Sequence, residues 1–182
     1  MMHPLKISIV QTDIAWENKQ ENLRMLREKL HALRGTTEIV VLPEMFSTGF
    51  TMKSRELAEP VSGITVRILK ELAADFQLAL CGSFICSERS NYYNRAFFIT
   101  PEGEEFYYDK RHLFRMGNEA EYFSSGNNKL IISYRGWNIC LLVCYDLRFP
   151  EIFQISSERS EVIFVIANWP QERIGQWDIL LN

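Results

Sequence analysis

The chain has 182 residues, of which 47% are apolar and 24% charged, enough for one domain with a substantial core. Its net charge of −3 and its lack of any basic cluster with interleaved aromatics argue against nucleic acid or an anionic membrane as partner. No apolar segment approaches the ~20 residues needed to span a bilayer, no signal-peptide pattern opens the chain, and Cys81, Cys86, Cys140 and Cys144 have neither Cys-x-x-Cys nor zinc spacing, so free thiols in the cytoplasm are expected.

Leu5 to Val10 reads as a short apolar strand. Asn18 and Glu21 form a capping pair for a helix in which Leu23, Leu26, Leu30 and Leu33 recur at helical spacing, and Gly35 stops it. His31 lies among charged neighbours there and reads as solvated or half-packed. Glu38 to Leu42 is a second strand, ending at Pro43-Glu44-Met45-Phe46. A carboxylate at the end of a buried strand is costly unless paired or used. Glu44 is therefore a candidate site residue, although a helix cap or loop residue would look the same.

Residues 51–62 read as a polar connection. Gly63 precedes an amphipathic helix running to Phe76, with Ile64, Ile68 and Leu72 expected on its buried face. Three strand-like runs follow, Leu78 to Ile85, Tyr92 to Thr100 and Glu105 to Tyr108; Pro101-Glu102-Gly103 joins the last two as a hairpin. Cys81 and Cys86 fall on or beside the first run and read as packing residues. Lys110 and Arg111 come next, in a stretch that on its own could be a solvated basic loop. The long loop 115–128 is of the kind that carries function in compact domains. Leu130 to Tyr134 and Trp137 to Val143 form another hairpin about Arg135-Gly136.

The apolar run into Val143 stops at Cys144, and Pro150 suits the first turn of a helix extending to about Ser156. Cys144 should therefore sit on a strand-to-helix elbow, where a nucleophile is pushed clear of the sheet and a helix N-terminus favours the thiolate. An arbitrary buried cysteine is more often packing; position at a strand end is what brings catalysis into view. Val162 to Ala167 is a last strand, ending in Asn168-Trp169-Pro170. Glu44, Lys110 and Cys144 thus occupy three strand ends, and a carboxylate, an ammonium and a thiol are the base, oxyanion partner and nucleophile of acyl transfer.

Leu42-Pro43-Glu44-Met45-Phe46, Tyr108-Asp109-Lys110-Arg111-His112-Leu113-Phe114 and Val143-Cys144-Tyr145-Asp146-Leu147-Arg148-Phe149-Pro150-Glu151 resemble, in order and spacing, the three signature blocks of the nitrilase superfamily of carbon–nitrogen hydrolases. The resemblance implies an α/β fold, a four-layer αββα sandwich, and a Glu-Lys-Cys triad at Glu44, Lys110 and Cys144. It further implies an oxyanion hole from the Lys110 ammonium and the Tyr145 backbone N–H, and a supporting carboxylate at Glu119. It implies a small-molecule amide substrate, no metal or organic cofactor, and a homodimer.

Lys110 to Met116 with Asn118-Glu119, and Asn168-Trp169-Pro170, are most similar to the omega-amidase branch, which hydrolyses terminal amides of small dicarboxylic acid monoamides. Nitrilase and N-carbamoyl amide hydrolase activities are the alternatives within the superfamily. A free substrate carboxylate needs a cation, for which Arg148, Arg115 and Arg173 are candidates. Phe114 and Trp169 are candidate pocket walls or core aromatics.

Two rival readings belong to other classes. A Cys-His hydrolase would pair Cys144 with His112 but leave the Glu44 and Lys110 blocks without purpose; a non-catalytic binding relative is the other. The ending, Gly175 to Asn182, reads as an apolar helical start with no stop signal. The expectation is a single domain shortened from a longer enzyme, lacking strands of the second sheet, with Trp177, Leu180 and Leu181 exposed or covered by a neighbouring chain.

Overall fold

A computed structural model describes residues 3–181, with the backbone alone at 155–157. The chain runs β1 (Ile7–Ile9), α1 (Lys19–Leu33), β2 (Ile39–Val41), α2 (Ser54–Leu57), α3 (Ile64–Phe76), β3 (Ala79–Glu88), β4 (Asn91–Ile99) and β5 (Glu105–Asp109). It continues through α4 (Glu119–Tyr122), β6 (Ile131–Tyr134), β7 (Trp137–Val143), α5 (Pro150–Ser157), β8 (Val162–Ile166) and α6 (Ile174–Leu181). A five-stranded sheet has the order β1-β2-β3-β4-β5, parallel across its first three strands and antiparallel across the rest. A three-stranded sheet has the order β6-β7-β8, with β6 and β7 the expected hairpin and β8 parallel to β7.

Period-two alternation sorts the first sheet's residues between two cores. Val40, Leu80, Phe84, Phe97 and Ile99 pack with Leu23, Leu26 and Leu30 of α1 and Leu69, Leu72 and Phe76 of α3. Ile39, Val41, Ala79, Cys81, Ala96, Phe98 and Tyr108 face the other way and meet Ile132, Ile139, Leu141 and Val143 of the second sheet. Helix α5 packs behind β8, with Ile152 buried in that same apolar cluster. The layers are therefore helix, sheet, sheet, helix, as the resemblance implied.

The capping of α1 is half what the sequence suggested. The Asn18 side chain accepts a hydrogen bond from Glu21 N–H at 3.1 Å, but the Glu21 carboxylate turns to Arg24 instead of completing the box. Helix α3 is rotated from its expected face. Thr65, Val66, Leu69, Leu72, Ala73 and Phe76 are buried, while Ile64 is exposed and Ile68 only partly covered. The polar connection 51–62 hides the short helix α2, whose Ser54 hydroxyl donates to the Tyr122 carbonyl at 2.8 Å.

Leu181 and Ile179 are exposed and Trp177 and Leu180 half-buried in α6, with the Trp177 ring centroid 5.0 Å from that of Trp169. Among the described residues no helix is long and apolar enough to cross a membrane.

Candidate active site

The two sheets deliver their polar strand ends to one place. Leu42 N–H donates to the Cys81 carbonyl and Phe46 N–H to the Ser83 carbonyl, so residues 42–46 still track β3 past the end of β2 and bring Glu44 over the sheet edge. Lys110 follows β5, its N–H bonded to the Asn94 carbonyl of β4. Asn168 follows β8 and donates its N–H to Glu44 Oε2 at 3.1 Å, tying the sheets together at the site. Met45, Asn118 and Cys144 all have positive φ, at 48°, 55° and 45°. Asparagine tolerates left-handed backbone, but at Met45 and Cys144, each at or next to a candidate residue, it marks turns held by their surroundings and not by preference.

At the centre lies a buried charge cluster. Lys110 Nζ donates to Glu44 Oε1 at 2.8 Å and to Glu119 Oε2 at 2.9 Å. Asn94 Nδ2 donates to Glu44 Oε1 at 2.8 Å and Glu119 Oε1 at 3.2 Å, and Phe114 N–H to Glu119 Oε2 at 2.6 Å. Burial alone would pull the Lys110 ammonium down, but Glu44 and Glu119 hold it above its ordinary value, so it stays charged. Burial pushes the Glu119 carboxyl up against the pull of Lys110, and the nearby Glu44 adds to the rise.

Gly126 seats the lysine from outside. Its N–H donates to the Lys110 carbonyl, and any Cβ there would lie 2.2 Å from the Asp109 carbonyl oxygen. Only glycine lets loop 115–128 approach this closely.

Cys144 opens a 3₁₀ turn, Cys144–Arg148, instead of entering an α-helix directly. Burial, followed by the negative charge of Glu44, raises its thiol well above the ordinary value of 9.0, with Lys110 pulling the other way. The expected thiolate-favouring elbow is corrected on this point: burial, with the Glu44 charge behind it, keeps the resting group a thiol.

The turn is fixed from beneath by the fully buried Asp146. Its Oδ2 accepts from Val143 N–H at 3.0 Å and the Tyr108 hydroxyl at 2.9 Å; its Oδ1 accepts from His112 N–H at 3.0 Å and pairs with His112 Nδ1 at 2.8 Å. His112 stacks on Phe149 at 3.7 Å. The histidine thus belongs to the support of the elbow and lines a neighbouring cavity with Arg111 and Arg115. It is not among the residues lining the cavity of Cys144, and its ring is engaged by Asp146 and Phe149, which argues against a Cys-His pair.

A cavity of about 330 Å³ opens above the cluster, floored by Glu44, Lys110 and Cys144. Its walls include Phe50, Phe114, Tyr145 and Trp169, with Arg148 and Arg173 at the same cavity. Arg173 lies over the Phe114 ring at 5.0 Å, and Arg148 donates to Gln176 Oε1 at 2.7 Å. Of the three arginine candidates, Arg115 alone is placed elsewhere. Ser83, Asn94 and Asp146 were not singled out from the sequence. The available signal for Asn94 was a polar residue inside an apolar strand, on the parity of Ala96 and Phe98; for Asp146 it was a carboxylate two residues past the elbow.

The family model described as carbon–nitrogen hydrolase matches residues 6–181. The omega-amidase YafV of Escherichia coli K12 is 35% identical over 181 residues, covering 100% of this chain and 70% of the relative. The 2-oxoglutaramate amidase of Bacillus subtilis 168 is 30% identical, covering 96% of this chain and 69% of its own length. A solved carbon–nitrogen hydrolase superfamily protein from Xanthomonas campestris, with an arsenic adduct in its active site, superposes with a TM-score of 0.94 at 37% identity, covering 99% of this chain and 71% of that one. With the three sequence blocks meeting at one cavity and these likenesses running nearly end to end, the chain belongs to the carbon–nitrogen hydrolase family and is an enzyme of its amidase group.

Proposed function

We propose that the enzyme hydrolyses the terminal amide of a small dicarboxylic acid monoamide, with Cys144 as nucleophile, Glu44 as general base and Lys110 as oxyanion partner. The observation that carries this reading is the meeting of those three side chains on the floor of one cavity that also bears Arg148 and Arg173. The names of the omega-amidase and 2-oxoglutaramate amidase relatives support the same substrate class.

In the first half-reaction Glu44 takes the thiol proton as Cys144 Sγ attacks the amide carbon. The oxyanion is stabilised by the Lys110 ammonium, already charged and desolvated, and by the Tyr145 N–H. Glu44 returns the proton to the departing nitrogen, ammonia leaves and a thioester remains. Water, deprotonated by Glu44, then attacks the thioester, and the acid departs as the thiol is restored. Glu119 keeps Lys110 in place throughout. Phe114 and Trp169 form apolar walls, and Arg148 or Arg173 holds the distal carboxylate; a guanidinium fork suits a bidentate grip. These steps call for no metal or organic cofactor.

The proposed setting is the cytoplasm, consistent with Cys81, Cys86, Cys140 and Cys144 being in the thiol form, and the proposed assembly is a homodimer, which sedimentation tests. The substrate reading is tested by ammonia release from a dicarboxylic monoamide, its descarboxy analogue, a matched nitrile and an N-carbamoyl compound. A preference for the monoamide supports it. Equal kcat/KM for the first two removes the omega-amidase assignment, and faster turnover of either of the last two redirects it within the superfamily.

A further inference from the structure

Behind the charge cluster runs a chain of uncharged groups whose polarity is set by the backbone. Met45 N–H, immediately after Glu44, donates to Ser83 Oγ at 2.8 Å. The Ser83 hydroxyl lies 2.9 Å from Asn94 Oδ1. Ser83 and Asn94 are fully buried, on β3 and β4, so each polar atom must find its partner inside the protein. The Ser83 oxygen receives the Met45 hydrogen, and its own hydrogen goes to Asn94 Oδ1. That contact decides which way the Asn94 amide faces: its Nδ2 is directed at Glu44 Oε1 and Glu119 Oε1 and cannot flip without placing an oxygen against two carboxylates. The relay therefore begins beside the base and returns to it.

Two buried carboxylates share one ammonium here, so the cluster has one negative charge more than Lys110 balances and is poised to take up a proton. A proton on Glu44 would disable it as base. From the Met45–Ser83–Asn94 chain we infer that Asn94 is a positioning residue: its Nδ2, locked in direction by Ser83, donates to both Glu44 and Glu119, favours their charged forms and keeps Glu44 anionic for the thiol proton. Asn94 does not itself line the substrate cavity; its one link to the reaction is its hydrogen bond to the Glu44 carboxylate, through which it acts. The titratable groups around it are Glu44 beyond β2, Lys110 beyond β5, Glu119 on α4 and, across Glu44 and Lys110, Cys144 beyond β7.

This inference rests on the reading of Glu44 as base, and its test separates the two. Asn94→Leu, Asn94→Asp, Ser83→Ala and Glu44→Gln are compared by the pH profile of kcat/KM for amide turnover. The pH dependence of Cys144 alkylation by iodoacetamide is followed alongside, and melting temperature reports folding. Without the Nδ2 donor, protonation of the carboxylates becomes easier. The acid limb should then move up by about one pH unit in Asn94→Leu and further in Asn94→Asp, with kcat down about 10- to 100-fold and KM changed by less than about 3-fold. Ser83→Ala, which leaves Asn94 present but free to turn, should show a smaller shift in the same direction, and it decides the matter if the Asn94 variants do not fold. Folded variants whose kcat falls while the acid limb and alkylation profile stay in place would reduce Asn94 to packing and overturn the inference. Full turnover in Glu44→Gln would instead overturn the base assignment, and the inference with it.

Discussion

Lys110 Nζ lies 2.8 Å from Glu44 Oε1, with both side chains sealed from solvent. An ion pair this deeply buried is a doubtful source of stability, because desolvation of both charges offsets much of their attraction. In the proposed mechanism its value is chemical: the base and the oxyanion partner are held at fixed separation in a site where charges act at short range without screening.

Replacing Glu44 with Gln keeps its volume but removes the proton acceptor, and turnover should fall by about 10² or more. Lys110→Met removes the charge facing the oxyanion and should cost a comparable or larger factor. Steady-state ammonia release measures both, with circular dichroism confirming that each variant is folded. Near-wild-type rates in either would contradict the proposed roles.

The nucleophile can be caught in the act. Intact-protein mass spectrometry during turnover should show an acyl adduct on Cys144, released by water and absent in Cys144→Ala. The buried Cys140, four residues upstream on β7, serves as internal control; an adduct there would reassign the chemistry.

The state of the thiol has a definite sign. Burial and the Glu44 charge both raise it above 9.0, so at neutral pH Cys144 should be a protonated thiol, titrating later than a free cysteine by ultraviolet thiolate absorbance. Glu44→Gln removes a negative neighbour and should bring the midpoint down, even as turnover is lost. A midpoint that rises or stays put in this variant would mean that Glu44 does not act on the thiol.

Asp146 is predicted to matter for the elbow and not for the chemistry. Asp146→Asn sets an amide among four donors and should destabilise the fold by about 2–3 kcal/mol, read from the urea midpoint. His112→Gln should remain folded and lose activity only weakly to moderately, since Tyr108 and Val143 still hold Asp146. Abolition of turnover in a stable His112→Gln protein would revive the Cys-His alternative.

Arg148 and Arg173 make a separable pair. Replacing with Met the one that grips the distal carboxylate should raise KM for the monoamide about 10- to 100-fold while leaving the descarboxy analogue almost unaffected. If neither variant discriminates between the two substrates, the carboxylate is bound elsewhere.

By itself the sequence determined the blocks and their order. Apolar runs of strand length ending in Glu44, Lys110 and Cys144 are local features, set by side-chain type and turn residues. The same holds for the β6–β7 hairpin about Arg135-Gly136 and the Asn18 cap of α1. What lay beyond the sequence depends on contacts far apart in the chain. The buried face of α3 was decided by where that helix meets the sheet. The direction of the Asn94 amide was decided by Ser83 eleven residues away and Met45 beyond that, and the allegiance of His112 to Asp146 by a contact across 34 residues. The thiol's proton was decided likewise, by burial between the sheets and then by a carboxylate that arrives from another strand. Residue types and spacing name the groups; only packing brings one charge close enough to another, and far enough from water, to settle what each does.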